Sequence, residues 1–147
     1  MSKYAAFGTK LVFDPAGTPL TVGQIKDISG PSQSMDAIET TCHDSPSGAR
    51  EFVPGLIDGG EVTLDIEFDP DTSQSAPTGA LGILENKADD RATVDKWEIR
   101  WEPQGGTATY RRFDAIVTNF APNGPVDGSI TASVTLKITG PITSGTV

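Results

Sequence analysis

Cys42, His43 and Asp44 stand in a row, and they include the one cysteine and the one histidine of the chain. A thiol beside an imidazole suggests a thiolate nucleophile. A thiol, an imidazole and a carboxylate together suggest a metal. Neither chemistry fits the spacing. Neighbouring residues on an extended chain point to opposite sides, so the imidazole is aimed away from the thiol it would activate. A zinc site needs further Cys or His ligands, and the sequence offers no second residue of either type. The simpler reading is a strand end running into a turn at Asp44-Ser45-Pro46.

Other chemical groupings meet the same difficulty. Asp65, Glu67, Asp69 and Asp71 lie close together, but they lack the spaced Asp/Asn-Gly-Glu pattern of a calcium loop and read as a solvated acidic face. Gly55, Gly59 and Gly60 are not in a phosphate-binding context. Trp97 and Trp101 share a strand face and would make a sugar-stacking platform, yet Ile99 shares that face, which favours core packing. Arg111 and Arg112, beside Tyr110, split between two faces. No catalytic, cofactor-binding or metal-ligating residue is assigned, and the chain is expected not to be an enzyme.

The elements that carry these groups are mostly strands. Glu61 to Phe68 alternates strictly, with Val62, Leu64, Ile66 and Phe68 on one face and Glu61, Thr63, Asp65 and Glu67 on the other. Ser129 to Thr139 does the same, and so does the shorter run of Trp97, Ile99 and Trp101. Thr107 to Phe120 reads as a long or bulged strand whose second half is apolar on both faces, so both are expected to be covered. Weaker strands are expected at Lys10–Phe13, Thr21–Ile28 and Met35–Thr41. One helix is expected over GALGILENKADD, after Pro77 and with Thr78 as its cap. Cys42 to Gly60 reads as a long irregular loop. Its Phe52, Val53, Leu56 and Ile57 suit packing on another subunit rather than disorder. The ends, Met1–Lys10 and Pro141–Val147, are expected to stay unordered before assembly.

Composition agrees with a turn-rich β protein: 147 residues with 16 Gly and 11 Pro, expected to form one domain over 1–147. The net charge of −9 argues against nucleic-acid binding, which needs Lys and Arg at phosphates. It is compatible with a surface that DNA passes without sticking. There is no apolar segment of signal-peptide length at the start and no run near the ~20 apolar residues of a membrane helix. Cytoplasmic synthesis without a membrane anchor is expected.

One segment is more specific. It begins Asp27-Ile28-Ser29-Gly30-Pro31 and continues through an Ile-Glu-Thr-Thr strand and His43-Asp44-Ser45-Pro46 with Gly48. Arg50-Glu51-Phe52, Pro54-Gly55-Leu56 and Asp58-Gly59-Gly60-Glu61 follow, leading into an alternating strand. This order resembles the major tail tube proteins of siphophages, the phages with long, flexible, non-contractile tails. It spans roughly a quarter of the chain; the remainder is similar in pattern only.

The resemblance implies a mainly β fold: an antiparallel β-sandwich or partial barrel with one flanking α-helix and no C-terminal Ig-like decoration. Six copies would form a ring with a continuous β-barrel lumen. Rings would stack into the tail tube of a virion, with tape-measure, tail terminator and tail-tip proteins as partners. DNA would transit the lumen without specific binding, and the tube would require no cofactor. Asp65, Glu67 and Glu39 are then expected to face the lumen. His43, Asp44, Arg50, Glu51, Phe52 and Leu56 are expected to make contacts between subunits or rings, although Arg50 and Glu51 would instead form a local pair if Phe52 packs on its own subunit. Two alternatives stand beside this reading: the tube protein of a contractile injection or secretion apparatus, and a monomeric carbohydrate-binding β-sandwich using Trp97 and Trp101.

Overall fold

The computed structural model describes residues 7–15, 17, 19–22, 25–67, 87–89, 91, 93–102 and 107–146. Among these, the strands in chain order are β1 (Lys10–Phe13), β2 (Leu20–Val22), β3 (Ile25–Ser29), β4 (Ser34–Glu39), β5 (Phe52–Asp58), β6 (Glu61–Glu67), β7 (Asp95–Trp101), β8 (Thr109–Asn123) and β9 (Thr131–Thr146). Seven of them form one sheet in the order β2-β1-β7-β8-β9-β6-β3, while β4 and β5 pair with each other alone. Every pairing is antiparallel.

The alternating runs place the core. Val62, Leu64 and Ile66 of β6 are buried opposite Leu136, Val134 and Ala132 of β9. Full burial of such side chains contributes about 1.5–3 kcal/mol each. Leu11 and Val22, from the other end of the sheet, join the same cluster together with Trp97, Ile99 and Phe113. The segment leading into β1 and the end of β7 also border β3, around a cleft lined by Phe7, Gly8, Trp101, Ile25 and Ile28, so the twisted sheet curls on itself as an open barrel. Trp97 is fully buried and meets Phe13 edge-on, with ring centroids 5.0 Å apart. That removes the sugar platform and gives both tryptophans to packing, since Trp101 also lies against the core.

Several expectations change. The helix expected over residues 79–90 lies mainly outside the described residues, and no flanking helix stands among the described elements; of its described residues 87–89, Lys87 and Ala88 carry helical backbone. Lys87 itself contacts the sheet, with its Nζ 3.3 Å from Asp95 and 5.7 Å from the Phe13 ring centre. The C-terminal segment expected to be unordered is instead the second half of β9, which pairs as far as Thr146 with Thr109. Met1–Ala6 of the expected N-terminal tail lies outside the described residues, and Lys10 opens β1. Finally, one face of β8 is open: Ile116 is 41% exposed. The register of β8 on β9 shifts between Val117 and Asn119, leaving Thr118 as an extra residue and turning Phe120 to face Val134. A bulge therefore accounts for apolar residues in both phases without two covered faces.

The long loop is corrected most. Phe52–Asp58 is a strand, so only Thr40–Glu51 is irregular. Pro54 and Gly55 look like a turn in sequence. They fit this strand because the β4–β5 register shifts between Met35 and Ala37, placing a bulge at Gly55-Leu56 on a two-stranded ribbon whose outer edges are free to accept proline.

The ribbon leaves the sheet through a tight root. Gly60 has φ +76, and a Cβ there would fall on the Ser32 carbonyl oxygen. Ala at this position meets both a left-handed backbone, costing about 1–2 kcal/mol, and that collision. Gly60→Ala is expected to lower the melting temperature by at least ~4 °C. An unchanged thermal melt would show that the root relaxes freely.

Candidate assembly surfaces

The β4–β5 ribbon is an arm with no covered face. Cross-strand neighbours put Met35, Ile57, Pro54 and Phe52 on one side and Ile38 with Val53 on the other. Apolar groups are exposed on both: Met35, Ile38 and Phe52 at 53% each, and Leu56 in the bulge at 82%. A two-stranded ribbon is marginal in water on its own. Apolar side chains bare on both sides therefore point to burial against other molecules.

The loop at the tip is held in one shape. Glu51 N–H donates to Thr41 Oγ1 at 2.8 Å, and Thr40 N–H donates to the Glu51 carbonyl at 2.8 Å. Ser45 Oγ donates to the Glu51 carboxylate at 2.9 Å and accepts from Cys42 N–H at 2.9 Å. Pro46–Gly48 makes a 3₁₀ turn, closed by Ala49 N–H on the Pro46 carbonyl at 3.0 Å. Glu51 is thus turned inward as the hub of the tip. Arg50 makes no ion pair among the described residues and is exposed, as are His43 and Asp44. The local Arg50–Glu51 pair does not form. Cys42 is exposed and bonded to Ser45 rather than to His43, and among the described residues no cluster of His, Cys, Asp or Glu could hold a metal ion.

A second surface is the polar face of β3, β6 and β9. Asp65 accepts from Ser133 Oγ at 3.0 Å, and Glu67 accepts from Ser129 Oγ at 3.2 Å and pairs with Lys26 Nζ at 3.2 Å. These two carboxylates of β6 are therefore fixed by hydroxyls of Ser133 in β9 and of Ser129 just before it, and left facing solvent. Asp65 and Glu67 lie together on this face. Glu39 does not: it closes β4, opposite Phe52 on the arm.

Two carboxylates near these surfaces titrate low. The Gly60 N–H, 2.8 Å away, holds Asp58 below its ordinary value, and the Lys137 ammonium adds to this at 3.3 Å. The Ser129 hydroxyl and then Lys26 lower Glu67. A depressed folded pKa gives stability that is complete above the unfolded value of about 4 and is lost as the pH falls through the lower folded value. Thermal melts are thus expected to be flat from neutrality to about pH 5 and to fall below about pH 4. Asp58→Asn should flatten part of that fall; an identical acid profile would contradict the role of the Asp58–Gly60–Lys137 contact.

Sequence reasoning missed Glu98. It sits on the polar phase of β7 but is 0% exposed, and it binds Arg100 Nε at 2.9 Å and Arg112 Nε at 3.0 Å. Arg112 in turn lies over the Tyr110 ring, 4.3 Å from its centre. The only hint in the sequence was two arginines placed to flank a glutamate on one face.

An open barrel with a bare apolar arm and a hydroxyl-fixed acidic face has the parts of a subunit that is completed by its neighbours. The chain belongs to the lambda-like phage tail tube family, whose model, "Phage tail tube, TTP, lambda-like", matches residues 3–146. It is a structural tail tube protein of the virion. Comparison with curated proteins finds no match.

Solved structures are similar in fold. The tail of an empty gene transfer agent particle, refined with C6 symmetry, aligns with TM-score 0.68 at 13% identity over 91% of this chain and 92% of that one. The sheath-tube complex of an extracellular contractile injection system in its extended state gives TM-score 0.69 at 15% identity over 99% and 93%. The SPP1 tail tube gives TM-score 0.63 at 10% identity over 95% and 77%. The tubes of a contractile injection system, a gene transfer agent and SPP1 align comparably, so the fold alone does not separate them, and the family match carries the assignment.

Proposed function

We propose that this chain assembles as hexameric rings that stack into the tube through which DNA leaves the virion. The observation that carries the reading is the arm, whose two apolar faces are both bare in the single chain. Rings with stacked neighbours would supply a covering surface for each. In this reading Phe52 and Leu56 are buried anchors. Arg50, His43 and Asp44 form the polar tip contact, and Glu51 is the residue that shapes the tip rather than one that reaches across.

The acidic face of β6 and β9 would line the lumen, with Asp65 and Glu67 turned to the channel. Six chains of −9 carry about −54 in total. Lumen carboxylates repel phosphate over a screening length of about 8 Å at physiological salt, which lets DNA slide without being held. Tape-measure, tail terminator and tail-tip proteins would be the other partners, and the chain would act as a single tail-tube unit without catalysis or cofactor, made in the host cytoplasm. Similarity to the injection-system tube gives the contractile alternative some support, and a sheath protein binding the assembled tube would establish it.

Deleting Ser47–Phe52 removes the tip and the first anchor but leaves every strand of the seven-stranded sheet intact. The expected product is a folded monomer that forms no tubes. Tubes of normal appearance from this variant would remove the arm from assembly.

A further inference from the structure

We infer that the turn joining β8 to β9, residues 125–128, is the seat on which the arm tip of a copy in the adjacent ring docks, with Arg50 against Asp127 and Phe52 against Val126. This deepens the proposed stacking and rests on it. The arm and the turn lie at opposite ends of the same strands. The arm continues from the β3–β6 pair where Glu61 meets Lys137. The turn leaves the β8–β9 pair where Asn123 meets Thr131, beside Glu67 at the other end of β6. β5 and β6 hold seven residues each, so at about 3.3 Å per residue roughly 45 Å of ribbon separates the tip of a chain from its own turn. Copies stacked along one axis meet head to tail. The end that carries the arm therefore faces the end that carries the turn.

The turn is held in shape and bare. Gly128 N–H donates to the Pro125 carbonyl at 3.4 Å, and a Cβ on Gly128 would press on the Pro125 ring. Ser129 Oγ ties the next residue to Glu67 at 3.2 Å. Residues 121–130 are all exposed. Such turns are usually made of Gly, Pro, Asn, Asp and Ser. Here Val126 stands at the tip, fully exposed, and Ile130 is bare as well. Neither belongs to the core cluster.

The arm tip complements this seat. Arg50 is the one Lys or Arg from residue 34 to residue 58, and Asp127 is the one charged residue between Ala121 and Thr131. Neither has an ion-pair partner among the described residues. Ser45 Oγ holds the Glu51 carboxylate at 2.9 Å, which keeps it from Arg50 and leaves that cation unopposed at the tip. Arg50 and Phe52 stand two residues apart on extended chain and so point to one side. Each surface thus sets a bare apolar side chain beside one charge, and the charges are of opposite sign. Both surfaces are fixed by their own hydrogen bonds before contact, which limits the ordering cost of docking.

The test reverses the two charges in full-length chain, as Arg50→Glu, as Asp127→Lys and as both together. Each single reversal sets like charges against each other and should raise the concentration needed for tubes at least about tenfold, with the thermal melt unchanged because both residues are exposed. The double reversal restores the attraction and should recover most of the loss. A double variant that assembles no better than either single one overturns the inference. Disulfide trapping gives an independent reading, with Phe52→Cys and Val126→Cys combined in a Cys42→Ser chain. Each chain then links one copy on either side, so oxidised tubes should give a denaturant-resistant ladder running past six subunits, while each single-cysteine variant stays monomeric on the gel. A ladder that stops at six places the contact within a ring and overturns the inference, as do tubes in which the pair forms no link. A wild-type chain that never assembles overturns the underlying stacking reading instead.

Discussion

Replacing Phe52 and Leu56 together with aspartate is expected to give a folded chain that no longer polymerises. Both side chains are largely exposed in the single chain, at 53% and 82%, so folding should lose little: exposed substitutions of this kind usually stay within about 0.5 kcal/mol. In the tube the same residues are proposed to be buried anchors. Truncating such an anchor commonly costs about 2 kcal/mol or more, and a carboxylate placed in a dry contact adds desolvation. Each 1.4 kcal/mol is a factor of about ten in an association constant, so two lost anchors should raise the concentration needed for assembly by at least about 10²-fold. Sedimentation across a concentration series reads the shift, and a thermal melt checks the fold. Pelletable tubes at the wild-type concentration would contradict the role of the arm.

Glu98→Ala should have the largest effect on the folded chain itself. The carboxylate is fully buried and satisfies two guanidiniums at 2.9 and 3.0 Å. Hydrogen bonds to charged groups are worth about 1.5–3 kcal/mol each, and removing one partner of a buried pair costs about 3–5 kcal/mol because the other charge is left unmatched. Here Arg100 and Arg112 keep side-chain exposures of 24% and 32% and can turn partly to water, which moderates the loss to about 2–3 kcal/mol. For a chain of this size that is a fall in melting temperature of roughly 5–10 °C. A melt within 1–2 °C of wild type (about 0.5 kcal/mol) would mean that the network adds little beyond filling space.

Glu98 also shows where the sequence stops being informative. Period-two alternation located β6, β7 and most of β9, because hydrophobic residues facing a common core leave that trace. The same rule put Glu98 on an outer face and took outer to mean wet. What covers an outer face depends on other parts of the chain, and a local pattern cannot contain that. The arm was hidden for a different reason. Pro54-Gly55 is turn chemistry in most contexts, and the bulge that accommodates it is fixed by register against β4, not by the residues of β5. Its apolar content is legible even so, and points to intermolecular packing whatever its backbone conformation. Asp65 and Glu67 shared a face, as spacing implied. Glu39 is of the same residue type, but topology carries it onto the arm, away from the β6 surface.

The claim at the centre of this account is that the chain closes into six-membered rings and stacks. Electron microscopy of the purified, concentrated protein tests it most directly. Hollow, striated tubes whose end-on views have six-fold symmetry are the expected result. Tubes of another symmetry, or particles of monomer mass at every concentration even when a tail-tip complex is supplied as a nucleus, would contradict it.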